Sequence, residues 1–307
     1  MGNILFNADI LAATFRIATP ILLAALGGIL CQRAGVFNIG LEGMMLVGSF
    51  SGIAAIQFAG GSMWAGLVGA MIAGLFISLI FAIVIINFKA DHIIASIGIN
   101  LLSLGLTTFL LKTLFGASGS FRPEVMNKMS VIKIPLIKDI PIIGPAIGIQ
   151  HPITYFALIM VAITAIILFR TSFGLSIRSV GEMPEAARTA GIKPELVKFI
   201  VILWSGALCG LAGAHLSISI VSEFSANMVQ GRGFTAFTAV IFGGAHPILT
   251  WLVTLLFGFA DALGIRIELE GIGLSPSILK MYPYILAIIV LTISAAIQKK
   301  RRNGVKF

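Results

Sequence analysis

The side chains that most often carry out chemistry are few in this chain, and their spacing forms no catalytic or metal-binding pattern. None of the four histidines belongs to a His-Glu-x-x-His pattern or is spaced as a paired metal ligand. They are His92, His151, His215 and His246. Because no Gly-x-x-x-x-Gly-Lys-Ser/Thr segment is present, the sequence offers no P-loop for ATP. We therefore predict that this chain is not an enzyme and holds no metal or cofactor of its own.

Polar side chains inside long apolar segments are the stronger candidates for a function. Such groups are costly in a membrane and tend to face the interior of a helix bundle or a water-filled path. Five of them are candidates for lining a transport pathway: Asn38, Glu42, Asn100, Ser103 and Ser205. For the last three, a helix-to-helix hydrogen bond that fixes packing is an equally good interpretation. The scarcity of acids and bases inside these segments favours an uncharged solute.

Other residues of the apolar segments favour structural roles. Small residues let membrane helices approach closely, so Gly206, Gly210 and Gly213 predict helix packing, with pore lining as the secondary interpretation. We expect Glu42, which lies among glycines, to be buried with a functional or architectural role. Asp261 is interpreted as structural, near the outer interface.

The composition shows which kind of protein contains these segments. Of the 307 residues, 58% are hydrophobic and only 11% are charged, and the mean hydropathy is +1.06. A soluble domain has about 25% charged residues, so this chain could not cover a water-facing surface. The composition excludes a soluble enzyme and a disordered chain, and two cysteines inside apolar segments do not form a disulfide framework. A polytopic membrane protein is predicted.

The lengths of the apolar segments predict the number of crossings, since a helix needs about 20 apolar residues to span the hydrocarbon core. Eight segments meet this length: 10–31, 37–58, 64–87, 93–115, 152–171, 198–221, 247–266 and 281–298. A shorter segment, 234–244, is bounded by glycines, as are the broken helices that line transporter pathways. The predicted fold is an all-α bundle of about 8–10 membrane segments, forming a single domain over residues 1–307.

The net charge of +9 is concentrated in two places. Five of the 21 cations lie in the tail 299–307, and five more lie between Arg170 and Lys198. Because cytoplasmic loops are rich in Lys and Arg, both regions are predicted to be cytoplasmic. An even number of crossings must then separate them, so the segment 234–244 counts as one and the N-terminus lies outside. The loop 116–151 becomes an extracellular cap, and no stripe of cations with stacking aromatics suggests nucleic-acid binding.

The loop 172–197 contains a short helix signal, Gly-Glu-Met-Pro-Glu-Ala-Ala-Arg-Thr-Ala-Gly-Ile, over residues 181–192. Pro184 suits the first turn of a helix, and Glu185 favours its positive N-terminal end. The alanines keep the helix thin, and Gly191 is suited to end it. This segment predicts a smooth helix that fits a groove of another protein, although a surface helix without a partner has the same composition.

Three patterns together identify a family. The first is the Gly-x-x-Pro-x-Ala-Ala-x-x-x-Gly-Ile pattern of residues 181–192, followed by Ser-Gly-Ala-Leu-Cys-Gly-Leu-Ala-Gly-Ala at 205–214. The others are Arg-Ala-Gly-Val-Phe-Asn-Ile-Gly-Leu-Glu-Gly-Met-Met at 33–45 and Gly-Phe-Thr-Ala-Phe-Thr-Ala-Val-Ile-Phe-Gly-Gly at 233–244. The chain resembles ABC-importer permeases of the branch that serves simple sugars, nucleosides and branched-chain amino acids. Met183 departs from the family, which usually has Asn there, so the capping hydrogen bond before the short helix is in question.

The resemblance implies a mechanism and partners. Movement of a cytoplasmic ATPase, which binds ATP and Mg, would move the short helix and reorient the spans by alternating access. The residues expected to couple to the ATPase are Gly181, Pro184, Glu185, Ala186, Ala187, Arg188, Gly191 and Ile192. Other implied partners are a second, related permease chain and an extracytoplasmic binding protein or lipoprotein. The implied location is the bacterial cytoplasmic membrane, and the chain looks most like the nucleoside type, then the sugar type, then the branched-chain amino acid type.

Two alternatives remain open from the residues. An ion-coupled secondary carrier could use Glu42 or Asp261 as its coupling carboxylate. A scaffold subunit would tolerate replacement of the whole 181–192 segment.

Overall fold

The helices of the chain follow the apolar segments closely. The computed structural model describes residues 8–127, 129–133 and 148–269, and in this part there are ten α-helices. They are α1 Ala8–Arg33, α2 Leu41–Phe58, α3 Met63–Ala82, α4 His92–Phe115, α5 Pro152–Arg170, α6 Ser172–Glu182, α7 Pro184–Thr189, α8 Pro194–Ala214, α9 Arg232–Phe242 and α10 Pro247–Leu269. The π-helical segments Ile83–Asn87 and His215–Val221 extend α3 and α8.

Seven helices in the described ranges are long and apolar enough to cross a membrane, which confirms the predicted all-α multi-pass bundle. Each predicted span from 10–31 to 247–266 has a helical counterpart whose ends differ by a few residues. The short segment 234–244 is an eleven-residue helix, α9. The predicted span 281–298 and the basic tail 299–307 lie outside the described residues.

Local chemistry explains several helix ends. The Asp91 carboxylate accepts the N–H groups of Ile93 and Ile94, at 2.9 and 3.1 Å, and so caps the start of α4. The Thr171 hydroxyl accepts the Gly174 N–H at 3.1 Å and caps α6 in the same way. Proline is the first residue of α5, α7 and α8, where its missing N–H costs no hydrogen bond.

Helix α2 packs against α3, α4 and α8, while α1 packs against α8, α9 and α10. The α3–α8 contact is close because it is built from glycine. A Cβ on Gly74 would overlap the carbonyl oxygen of Gly206, so the two backbones touch there. This close approach fixes the position of α8, which contributes residues to the interior.

The two ends of the bundle are distinguished by α8. With its π-helical extension, α8 covers 28 residues, or about 42 Å, from α7 at one end to β4 (Phe224–Ser225) at the other. There β4 pairs antiparallel with β1 (Ser120–Phe121), and β2 (Ile132–Lys133) pairs with β3 (Ile149–Gln150). The described parts of the loop 116–151 therefore form short paired strands at the end opposite α7.

Candidate functional site: a coupling helix and a buried polar cluster

The predicted short helix is present as α7 and projects from the bundle. Ala187 is its only buried residue, at 3% exposure. Met183 precedes it without a side-chain cap, as the departure from the family pattern anticipates, and is 68% exposed. The end of α7 is a tight turn, because Gly191 has a φ of +84° and the Ile192 N–H donates to the Ala187 carbonyl at 3.0 Å. A thin, exposed and well-terminated helix results.

Two contacts hold α7 in place. The Arg188 guanidinium donates a hydrogen bond to the Glu195 carboxylate, which ties α7 to the first turn of α8. Gly181, at the end of α6, packs directly on the end of α1: a Cβ there would overlap the Arg33 carbonyl oxygen. The segment 181–192 is thus in backbone contact with the segment that connects α1 and α2.

That connecting segment, residues 34–40, turns back into the bundle. Asn38 holds its own turn, since its Oδ1 accepts the Gly40 N–H at 3.0 Å. The Asn38 Nδ2 donates to the Ser205 Oγ at 3.3 Å, and both side chains are buried. Helix α2 therefore begins among the middle residues of α8 rather than at the end of the bundle.

Helix α4 holds the other side of the same segment. The Asn100 Oδ1 accepts the Gly43 N–H at 2.8 Å, and its Nδ2 donates to the Ile39 carbonyl at 3.2 Å. The Ser96 Oγ accepts the Ile39 N–H at 3.1 Å. Ser103 is fully buried against Gly43, and its hydroxyl has no hydrogen-bond partner within the described part of the chain. Sequence reasoning missed Ser96, although it lies one turn before Asn100 on the same face of α4.

Glu42 caps a second helix. Its two carboxylate oxygens accept the N–H groups of Gly231 and Gly233, each at 2.7 Å. Gly231 is the residue before α9 and has a φ of +85°, so the carboxylate satisfies N–H groups that the first turn of α9 leaves unpaired. Glu42 is only 8% exposed, as its sequence setting predicts.

Comparison with known proteins gives the family. Residues 10–293 match the model for the permease component of branched-chain amino acid transport systems. This chain belongs to that permease family. No solved structure matches it.

Three similar proteins are ABC transporter permeases. The guanosine ABC transporter permease protein NupQ of Bacillus subtilis is 39% identical, over 92% of this chain and 91% of that protein. The nucleoside ABC transporter permease protein NupC of Lactococcus lactis is 36% identical, over 95% and 94%. The putative glucose ABC transporter permease protein TsgC13 of Haloferax volcanii is 31% identical, over 94% and 92%. The chain is therefore a multi-pass permease subunit of an ABC importer, and an ion-coupled carrier is not favoured.

In this permease the five candidate pathway residues come together around the start of α2. Four are buried and Asn100 is partly buried, and between them they bond or contact the segment 38–43. None of them lines a cavity of about 280 Å³, open on one side, whose lining residues come from α1, the α8 extension, α10 and the connection to α9. The polar residues of that cavity are Ser225, Gln230 and Arg232, which sequence reasoning did not select.

The remaining predicted residues lie elsewhere in the permease. A Cβ on Gly206 would overlap Ser78 of α3, one on Gly210 the Ala70 carbonyl oxygen, and one on Gly213 the Met45 carbonyl oxygen. These atoms belong to α2 and α3, so all three glycines lie where α8 packs closely against those helices. Asp261 is on α10 and is partly buried. The described residues contain no group of three or more His, Cys, Asp or Glu side chains that could hold a metal ion.

Proposed function

We propose that this permease imports nucleosides, delivered by an extracytoplasmic binding protein, by alternating access driven by a separate cytoplasmic ATPase. The names of the relatives NupQ and NupC support a nucleoside, and a simple sugar, supported by the name of TsgC13, is the second candidate. The scarcity of charged side chains in the spans agrees with a neutral solute. ATP and Mg bind the ATPase, and the permease pairs with a second, related permease chain.

Helix α7 is the observation that carries the coupling part of the proposal. It is exposed on every residue except Ala187; Arg188 ties it to α8, and α6, which directly precedes it, packs on the end of α1 through Gly181. A protein seated on α7 would therefore move the bundle instead of the loop alone. With α7 at the cytoplasmic face, the proposal has α1 running from outside to inside and the N-terminus outside, in agreement with the orientation expected from the distribution of cations.

The substrate is tested by uptake. Cells that lack other nucleoside transporters and express the complete importer should take up labelled guanosine, with competition by excess unlabelled nucleosides and not by ribose or leucine. Competition by ribose alone would assign the importer to sugars, and competition by leucine alone would assign it to branched-chain amino acids. Uptake by this chain expressed without an ATPase would contradict an ABC importer.

Coupling is tested by a charge on the exposed face of α7. Ala186→Glu adds a bulky charge where the helix is exposed. We therefore expect at least tenfold lower uptake and loss of ATPase co-purification, and a tenfold loss corresponds to about 1.4 kcal/mol of docking free energy. Ala187→Asp, which buries an unpaired charge, should abolish uptake as well.

The matched control is Ser118→Glu, which places the same charge on an exposed residue at the opposite end of the bundle. This variant should transport normally. Normal uptake by Ala186→Glu, or equal losses in both glutamate variants, would show that α7 is not the docking element.

A further inference from the structure

Helix α9 is held at both ends by charged side chains from one short stretch of chain. At its N-terminal end, the Glu42 carboxylate accepts the Gly231 and Gly233 N–H groups at 2.7 Å. In the turn that follows its last residue, Phe242, the Arg33 guanidinium donates to the carbonyl oxygens of Gly244 and Ala245, at 3.0 and 2.9 Å. Arg33 ends α1 and Glu42 is in the first turn of α2, so residues 33–42 run along the whole of α9.

The sign of the Glu42 charge suits the N-terminal end of the helix. The first N–H groups and last carbonyl groups of any helix have no partner within it, and they leave partial positive and negative charge at the two ends. The Glu42 carboxylate at the start of α9 matches that polarity, and the Arg33 guanidinium holds the turn that follows the helix. Because each makes two charge-assisted hydrogen bonds, they restrain the direction of α9 as well as its position. With eleven residues, α9 is about 16 Å long.

The same stretch of chain meets the coupling segment. Gly181 lies so close to Arg33 that a Cβ on Gly181 would overlap the Arg33 carbonyl oxygen. A Cβ placed on Gly35 would lie 3.4 Å from the Gly181 Cα, so these two glycines also pack together. Gly181 is on α6, one turn before α7. Contacts without a gap therefore lead from α7 through residues 33–35 to the C-terminal end of α9.

At its other end, the stretch reaches the interior. A Cβ on Gly233 would overlap the Glu42 backbone nitrogen, so the start of α9 lies directly against the start of α2. Asn38, four residues before Glu42, is bonded to Ser205 of α8. The start of α9 also leads into the cavity, since Gln230 and Arg232 line it. A displacement of α9 would reach both α2 and the cavity wall.

We propose that α9 and residues 33–42 move as one unit that carries the displacement of α7 into the membrane interior, with Arg33 and Glu42 as positioning residues. The inference rests on the proposed function, because it takes α7 as the element that the ATPase moves. Arg33 connects the unit to the coupling end, and Glu42 connects it to α2 and the cavity. Loss of either contact separates ATP hydrolysis from transport without removing the docking helix.

The experiment measures hydrolysis and transport separately in the complete importer reconstituted in vesicles. Arg33→Ala and Glu42→Gln should each lower the number of nucleosides imported per ATP at least tenfold, with ATPase association and hydrolysis within about twofold of the parent. Arg33→Lys, which keeps the charge but not the forked geometry, should recover part of the ratio. An unchanged ratio in both Arg33→Ala and Glu42→Gln would overturn the inference.

A distance measurement tests the same unit without depending on the transported solute. Spin labels on the exposed side chains of Ile241→Cys in α9 and Ile72→Cys in α3 should change separation when ATP is trapped on the ATPase. The native Cys31 and Cys209 are buried and escape labelling. Arg33→Ala should abolish the change. The same change with and without Arg33 would overturn the inference even if the solute is a sugar, whereas absence of ATPase binding by the parent chain would overturn the proposed function.

Discussion

Helices α2 and α4 are neighbours that the sequence presents as equivalent spans, yet they occupy opposite environments. In α2, 67% of the apolar 18-residue stretch that could span the membrane is buried within the described structure, whereas in α4 the corresponding share is 22%. The more buried helix is the less apolar of the two. In a soluble protein the order would be reversed, because there burial follows hydrophobicity.

The reason is that lipid tails are as apolar as a protein interior, so hydrophobicity does not choose between them. Contacts made by small and polar residues decide instead which helix packs against the rest of the protein. Helix α2 has Gly48 in contact with Gly210 of α8, and Ser49 hydrogen-bonded to the Gly213 carbonyl oxygen at 3.0 Å. In α4, Gly98 meets no atom within 4 Å on the side where a Cβ would be. Glycine therefore forms a helix-packing contact in α2, whereas Gly98 of α4 packs against no other helix of the described chain.

The largest expected effect comes from filling a glycine contact. Gly48→Val would drive a side chain into the Gly210 backbone, whose Cα is 2.5 Å from the Cβ position, so α2 and α8 must separate. We expect the loss of stability to exceed the about 3 kcal/mol that ordinary overpacking costs. It should appear as loss of the monodisperse peak after mild heating in detergent. Gly105→Val, on α4 with no atom near its Cβ position, is the control and should cost under about 0.5 kcal/mol. Equal losses would show that α4 is also packed against protein.

A smaller effect is expected from truncating an aromatic side chain. Phe50 of α2 is 4% exposed and contacts the rings of Phe224 and Phe115, with centroids 5.2 and 6.1 Å away. Phe50→Ala should cost about 3 kcal/mol through the cavity it leaves, measured as a lower midpoint of thermal unfolding in detergent. Phe109→Ala on α4, where Phe109 is 64% exposed, should cost well under half as much. A larger loss at Phe109 would reverse the comparison between the two helices.

The smallest effect is expected from a hydroxyl. Ser49→Ala removes a buried bond to the Gly213 carbonyl, and hydrogen bonds between membrane helices contribute about 0.6 kcal/mol on average. Thr108→Val on α4 removes a bond only to Leu104 of its own helix, so it should leave stability unchanged. Unfolding in a denaturing detergent, compared between the two variants, resolves this difference. A stability loss confined to Thr108→Val would contradict the assigned burial.

The crossings could be predicted because each depends on a local property. Twenty consecutive apolar residues span a bilayer wherever they lie in the chain, and the ends of α4 and α5 fell within a few residues of those expected. Helix α7 was predicted for the same reason, since Pro184 and Gly191 act on their own turn of backbone. The exposure of Ala186 and the burial of Ala187 were not separable in sequence, because both are alanine.

The contacts of the polar side chains could not be predicted from local properties of the sequence. Asn38, Asn100 and Ser205 were selected as pathway candidates because polar groups in a membrane must find partners. The partners turned out to be one another and the backbone at the start of α2. A serine that closes a packing contact and a serine that contacts solute have the same hydropathy, so only the positions of neighbouring helices separate the two.

By itself, the sequence determined that this chain is a multi-pass membrane protein with a short helix in the loop 172–197, because length, hydropathy and turn chemistry are local. Only the tertiary structure decided how deeply each helix is buried and what Glu42 does. Glu42 and Gly231 are 189 positions apart, and Arg33 and Ala245 are 212 apart, so neither pair has a local signal. Such contacts form only when several helices have packed, since Glu42 is stabilised by the start of α9 and Arg33 by the turn after it, which another part of the chain supplies.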